Sequence, residues 1–232
     1  NTRKLIPLTT SGVIFNYEII SDSEILATFS DLQIPRALIT INTSTKRAKC
    51  ISKSYFQSGF NSELVENIPN LPPAYFIRGV KSDQGIIVFI HPGTDFSPRW
   101  DPIIMNLANQ GYLIVAPNFR GSFGYGKTFY NYDYPEAVSD VVAWKNYLSE
   151  LYQPSRLFYL TYSSGNPIME QALSLDNHNL TASISYFGIP SGSLPTHKIP
   201  SLYILGKYDD RVKFCDRIEE LKYASKMNAE NN

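Results

Sequence analysis

Hydrophobic and polar positions follow two different rhythms along the chain. From residue 11 to about residue 55 the apolar residues come in short β-type runs, "GVIFNYEII", "EILATFS", "RALITINTS" and "AKCISKS". Turn-forming stretches, "SDS", "SDLQIP" and "NTSTKR", divide them, which predicts an antiparallel meander of three or four strands. One such meander cannot bury both of its faces and would be marginal alone. Asn, Ser and Pro are frequent in residues 56–73, which read as a connection. The expected division is therefore 1–60 for the meander, 61–72 for a linker and 73–232 for a second unit.

From Pro73 the rhythm changes. "GIIVFIH" (85–91), "YLIVAP" (112–117), "RLFYLT" (156–161), "ASISYF" (182–187) and "SLYILG" (201–206) are continuous apolar runs, the pattern of strands covered on both faces. Helical patterns lie between them. "DPIIMNLANQG" opens with an Asp cap and a Pro and closes on Gly111. "PEAVSDVVAWKNYLSELY" places Val138, Val142 and Leu148 near one face, and "FCDRIEELKYASKM" predicts a further helix. Strands alternating with helices mean an α/β fold with a mostly parallel sheet.

Composition bounds what such a fold can serve. The 232 residues are 43% hydrophobic, enough for one sizeable core without disulfide staples. Lys plus Arg equals Asp plus Glu at 21 each, so no charge excess points to nucleic acid or an anionic membrane. Two cysteines, Cys50 and Cys215, make no disulfide framework, which favours a reducing, cytoplasmic setting. No apolar run approaches the roughly 20 residues of a membrane span. Because the chain starts at Asn1 and stops at "NAENN", it reads as a piece of something longer.

Candidate chemistry begins at "LFYLTYSSGNP" (157–167), a buried strand ending in two serines and a glycine. A nucleophile on a sharp strand-to-helix turn needs small residues two places to either side. Gly165 satisfies that for Ser163, while Thr161 does not, so a plain loop hydroxyl stands beside the nucleophile reading. "HPGTDFSPRW" (91–100) directly follows another buried strand, where an α/β hydrolase places its oxyanion loop. Pro92 has no N–H, which leaves Gly93 as the donor, paired with the amide of Ser164. His91 has no second ligand nearby and reads as structural rather than as a metal ligand or base. The glycines of "PNFRGSFGYGKTF" (117–129) could suggest a phosphate cradle, but the Lys-Ser/Thr ending of a P-loop is missing. Arg120 within it reads as a structural cross-link, since a guanidinium can tie several backbone carbonyls together. Asp209 follows a buried strand, as an orienting acid should, although Asp209 or Asp210 could equally cap the helix that begins near Val212.

The stretch "VFIHPGTDFSPRWDPIIMNLANQGYLIVAPNFRGSFGYGKTF" resembles the catalytic domain of the prolyl oligopeptidase family, serine peptidases with an α/β-hydrolase fold. That family's Pro-Asn-x-Arg-Gly-Ser-x-Gly-Tyr-Gly loop is matched by Pro117 to Gly126, and its His-Gly-Gly-Pro motif is altered to His91-Pro92-Gly93-Thr94. "SRLFYLTYSSGN" fits the Arg-led strand into Gly-x-Ser-x-Gly-Gly, with Thr161 and Asn166 in place of two glycines. "GKYDDRV" (206–212) fits the stretch that carries the acid. The resemblance covers roughly residues 73–226 and implies Ser163 as nucleophile, Asp209 as acid, and Arg211 and Tyr162 as candidate substrate contacts. It also implies that the meander is the last blade of a β-propeller. The expected activity is cleavage of short peptides, or of small acyl substrates, through an acyl-enzyme, with no metal or organic cofactor. A general carboxylesterase, or an inactive pseudoenzyme or binding module on the same fold, is the alternative.

The base is the difficulty. In the order Ser, Asp, His it must follow Asp209, and the histidines are His91, His178 and His197. His178 lies in a polar turn, and His197 precedes the acid-bearing strand. The resemblance implies a histidine on a loop beyond one more strand, past Asn232, and without it this chain is expected to lack triad-level activity.

Overall fold

A computed structural model describes residues 12–52, 59–81, 83–93, 96–131, 134–188 and 199–206, together with Ile218, Glu219 and Lys222. The first rhythm becomes a four-stranded antiparallel sheet in chain order, β1 (Val13–Ser21), β2 (Glu24–Ser30), β3 (Ala37–Asn42) and β4 (Arg47–Cys50). Alternation does what it should: Ala37, Ile39 and Ile41 of β3 face inward and pack with Ala27 and Phe29. Its outer edge stays apolar, with Tyr17 and Ile19 of β1 exposed.

The second rhythm becomes a seven-stranded sheet. Its strands are β5 (Asn61–Val65), β6 (Ala74–Arg78), β7 (Gly85–Ile90), β8 (Tyr112–Pro117), β9 (Leu157–Tyr162), β10 (Ala182–Tyr186) and β11 (Ser201–Ile204). They lie in the order β11-β10-β9-β7-β8-β6-β5. β7 to β11 run parallel, whereas β6 is antiparallel to both of its neighbours. The linker expectation needs correcting at 61–65, where the chain forms an edge strand. β5 is mostly exposed and polar, so it carries no hydrophobic signal. β6 also escaped the reading, although Ala74, Phe76 and Ile77 are buried.

Helices cover both faces. α1 (Pro102–Asn109) packs with Met105, Ile104 and Ala108 against one side of the sheet. Asp101 caps it as the sequence suggested, accepting from the amides of Ile103 and Ile104. A short α2 (Lys127–Tyr130) leads to α3 (Tyr134–Tyr152), which lies on the other face with α4 (Asn166–Leu175). Trp144 of α3 is fully buried and donates its indole N–H to Pro72 O at 2.9 Å. Next to it, Lys145 is buried, paired with Asp176 at 2.8 Å, and donates to His178 O at 3.1 Å. Burial pushes the Asp176 carboxyl up, but hydrogen bonds from Lys145, the His178 amide and Asn146 pull it below its ordinary 3.8. Its stabilising contribution is therefore present at neutral pH and is lost as the pH falls through that lowered value.

One side chain joins the two sheets. Ser30, at the end of β2, donates its hydroxyl to Ile34 O at 2.8 Å and accepts the Trp100 amide at 3.2 Å. Nearby Leu32 and Phe60 enter the core on the α1 face. Among the described residues no helix is long and apolar enough to cross a membrane.

Candidate active site

Parallel pairing of β7 with β9 sets Ile90 beside Thr161. The segments that leave the two strand ends, 91–93 and 163–165, are thereby brought together from distant parts of the chain. Ser163 has φ 52°, in the left-handed region that non-glycine residues seldom occupy. There β9 turns through a single 3-10 turn, Ser163–Gly165, directly into α4. The Ser163 amide is fixed by a bond to Phe187 O at 3.2 Å. A strained serine between a central strand and a helix is the geometry of an exposed nucleophile.

The departures from the all-glycine pattern have physical explanations. Thr161 is fully buried, and its hydroxyl donates to Ile90 O at 2.8 Å, so its extra atoms are used across the strand pair. Gly165 carries the steric demand instead. A Cβ there would meet Thr161 Oγ1 and would lie 2.5 Å from Ile90 O. Asn166 takes up room that a glycine would leave open, and Gly188 gives it back. A Cβ on Gly188 would come within 2.7 Å of Asn166 Cγ.

Gly93 and Ser164, the expected oxyanion donors, are adjacent: the Gly93 amide donates to Ser164 Oγ at 2.8 Å. The loop around Gly93 is held from below. Asn118 accepts from the Phe96 amide at 2.7 Å and donates to Phe96 O at 3.1 Å, and it also donates to the Tyr125 hydroxyl at 2.9 Å. Sequence reasoning missed this role for Asn118; the signals were its place immediately after a buried strand and within the matched Pro117 to Gly126 loop.

His91, read from the sequence as structural, has surroundings that fit that reading. It is buried and stacked on Phe119 at 4.4 Å, with Nε2 3.4 Å from Ser122 Oγ. His178 is exposed beyond the far end of α4 from Ser163, a helix length of about 15 Å away. Tyr162, a candidate substrate contact, has its ring packed between Phe89 and Tyr186. Burial, and then Asp101, raise its hydroxyl pKa, against a hydrogen bond with Arg99 that lowers it. Asp209, Asp210, Arg211 and His197 lie outside the described residues.

Arg120 binds carboxylates more than the carbonyls its sequence context suggested. Nε and Nη2 grip Asp140, Nη1 reaches Glu136 at 2.8 Å, and the Arg120 amide donates to Asp140 Oδ2 at 2.8 Å. The hydrogen bond to Asp140 raises its pKa, opposed by burial and helped by the charges of Asp140 and Glu136. The glycine-rich loop is thus tied to α3. Arg120→Lys is expected to lower stability by about 1–2 kcal/mol, because buried Asp140 loses a bidentate partner. Activity should fall with it. Full thermal stability with a purely catalytic defect would contradict this role.

Sheet order, helices on both faces and a left-handed serine between β9 and α4 define an α/β-hydrolase fold. No protein-family model matches the sequence, and no curated protein matches it. Solved structures do. A prolyl endopeptidase is similar at TM-score 0.64 and 15% identity, over 77% of this chain and 29% of the other. An acylaminoacyl peptidase from Pyrococcus horikoshii is similar at 0.63 and 19%, over 78% and 32%. Oligopeptidase B from Leishmania major is similar at 0.62 and 12%, over 78% and 29%. The chain spans less than a third of the length of each of these peptidases.

Proposed function

We propose that this chain carries the nucleophile-bearing part of a serine peptidase of the prolyl oligopeptidase type, acting on short peptides. The observation that carries the reading is the strained turn at Ser163, set beside the Gly93 and Ser164 amides. Its fold neighbours, peptidases by their names, support the same class.

In this reading Ser163 Oγ attacks the scissile carbonyl carbon, and its proton passes to a histidine oriented by Asp209. The carbonyl oxygen becomes an oxyanion, held by the amides of Gly93 and Ser164. The amine then leaves with the histidine's proton, and water releases the acyl group from Ser163. Among the 232 residues no histidine follows Asp209, so in this reading the base is a group that the Ser, Asp, His order does not supply from this sequence. Arg211 would contact the substrate, and the antiparallel meander would be a propeller blade. The setting proposed is cytoplasmic.

The test is a serine-directed fluorophosphonate probe on the full-length protein. Labelling mapped to Ser163 is expected. Its absence would favour an inactive binding module, and turnover of acyl esters without any peptide would favour a carboxylesterase.

A further inference from the structure

Ser164 brings two groups to the same corner, its amide and its hydroxyl. The hydroxyl oxygen lies 2.8 Å from the Gly93 nitrogen. An oxyanion bound by that amide would sit at about 2.7–3.1 Å. The two oxygens therefore compete for one N–H, which cannot point at both with good geometry. Ser164 and Gly93 are exposed, and a Cβ on Gly93 would meet nothing within 4 Å. Among the described residues, the group that faces the Gly93 amide is the exposed Ser164 side chain.

We infer that the Ser164 hydroxyl is a cap on the oxyanion donor, holding the Gly93 N–H until an acyl substrate's oxygen displaces it. This rests on the serine-hydrolase reading of the site. A neutral carbonyl oxygen offers the amide little more than the hydroxyl it replaces, so the exchange is near balance in the ground state. As negative charge develops on that oxygen, the charge-assisted bond becomes the stronger one. The cap therefore competes evenly with neutral carbonyl oxygens and yields most fully to oxygens that become anionic. Its removal raises reactivity by the worth of one neutral hydrogen bond.

The experiment compares full-length wild type with Ser164→Ala, an exposed change that removes one hydroxyl and leaves the Ser164 position's amide in place. Fluorophosphonate labelling of Ser163 should quicken by about 2- to 10-fold at an unchanged melting temperature. The Gly93 amide should exchange with solvent faster by a similar factor. Labelling at an equal rate overturns the cap alone, and slower labelling overturns it by making the hydroxyl a donor to the oxyanion. No labelling in either protein overturns the serine-hydrolase reading itself, and the cap with it.

Discussion

Ser163→Ala is expected to lower hydrolysis by the full-length protein by about 10⁴- to 10⁶-fold, because nucleophile, base and acid act as a unit. Folding should hardly change, since one hydroxyl is lost from a half-buried position. The left-handed backbone at Ser163 sharpens the test. Glycine adopts that conformation at less cost than serine, so Ser163→Gly should be equally inactive yet more stable than wild type by about 1 kcal/mol. Steady-state turnover and thermal melting of both variants give the answer. Unchanged turnover in the alanine variant would make Ser163 a loop hydroxyl after all.

A second large effect belongs to Gly165→Ala. The added methyl would have to occupy space already taken by Ile90 O, 2.5 Å away, and by Thr161 Oγ1, with His91 O at 3.0 Å. Two of these are main-chain oxygens at the end of a central strand, which cannot swing aside as a flexible side chain would. The turn must move instead, at about 1–3 kcal/mol of stability. Displacement of Ser163 by about 1 Å should lower kcat/KM by about 100-fold. Removing the threonine hydroxyl in Thr161→Ala/Gly165→Ala relieves one collision and leaves Ile90 O, so rescue should be partial. A Gly165→Ala protein with wild-type melting and turnover would show that the turn is loosely packed.

What the sequence disclosed follows from how each segment is buried. β7, β8 and β9 are covered on both faces, so their residues are mostly apolar and stood out as continuous runs. β5 lies at the sheet edge with polar side chains in water, and nothing in its composition distinguishes it from a linker. Around Ser163 the strand, the turn and the glycine were readable because their constraints are local. The partners that make Thr161 and Asn166 acceptable were not, because Ile90 O and Gly188 come from distant stretches of chain. The same holds for Asn118, whose hydrogen bonds to Phe96 span a loop and a helix.

Ser30 bears on how the two sheets can be exchanged between proteins. Its hydroxyl serves a turn of the meander and the Trp100 amide at once, while Leu32 lies in the other sheet's core. The seven-stranded half transplanted onto a foreign meander would lose the Ser30 acceptor of the Trp100 amide and keep a hole where Leu32 had been. The recipient scaffold must bring a hydroxyl at the end of its second strand and an apolar side chain two places later. The joint is a shared part, and the two halves can be swapped or redesigned only together with it.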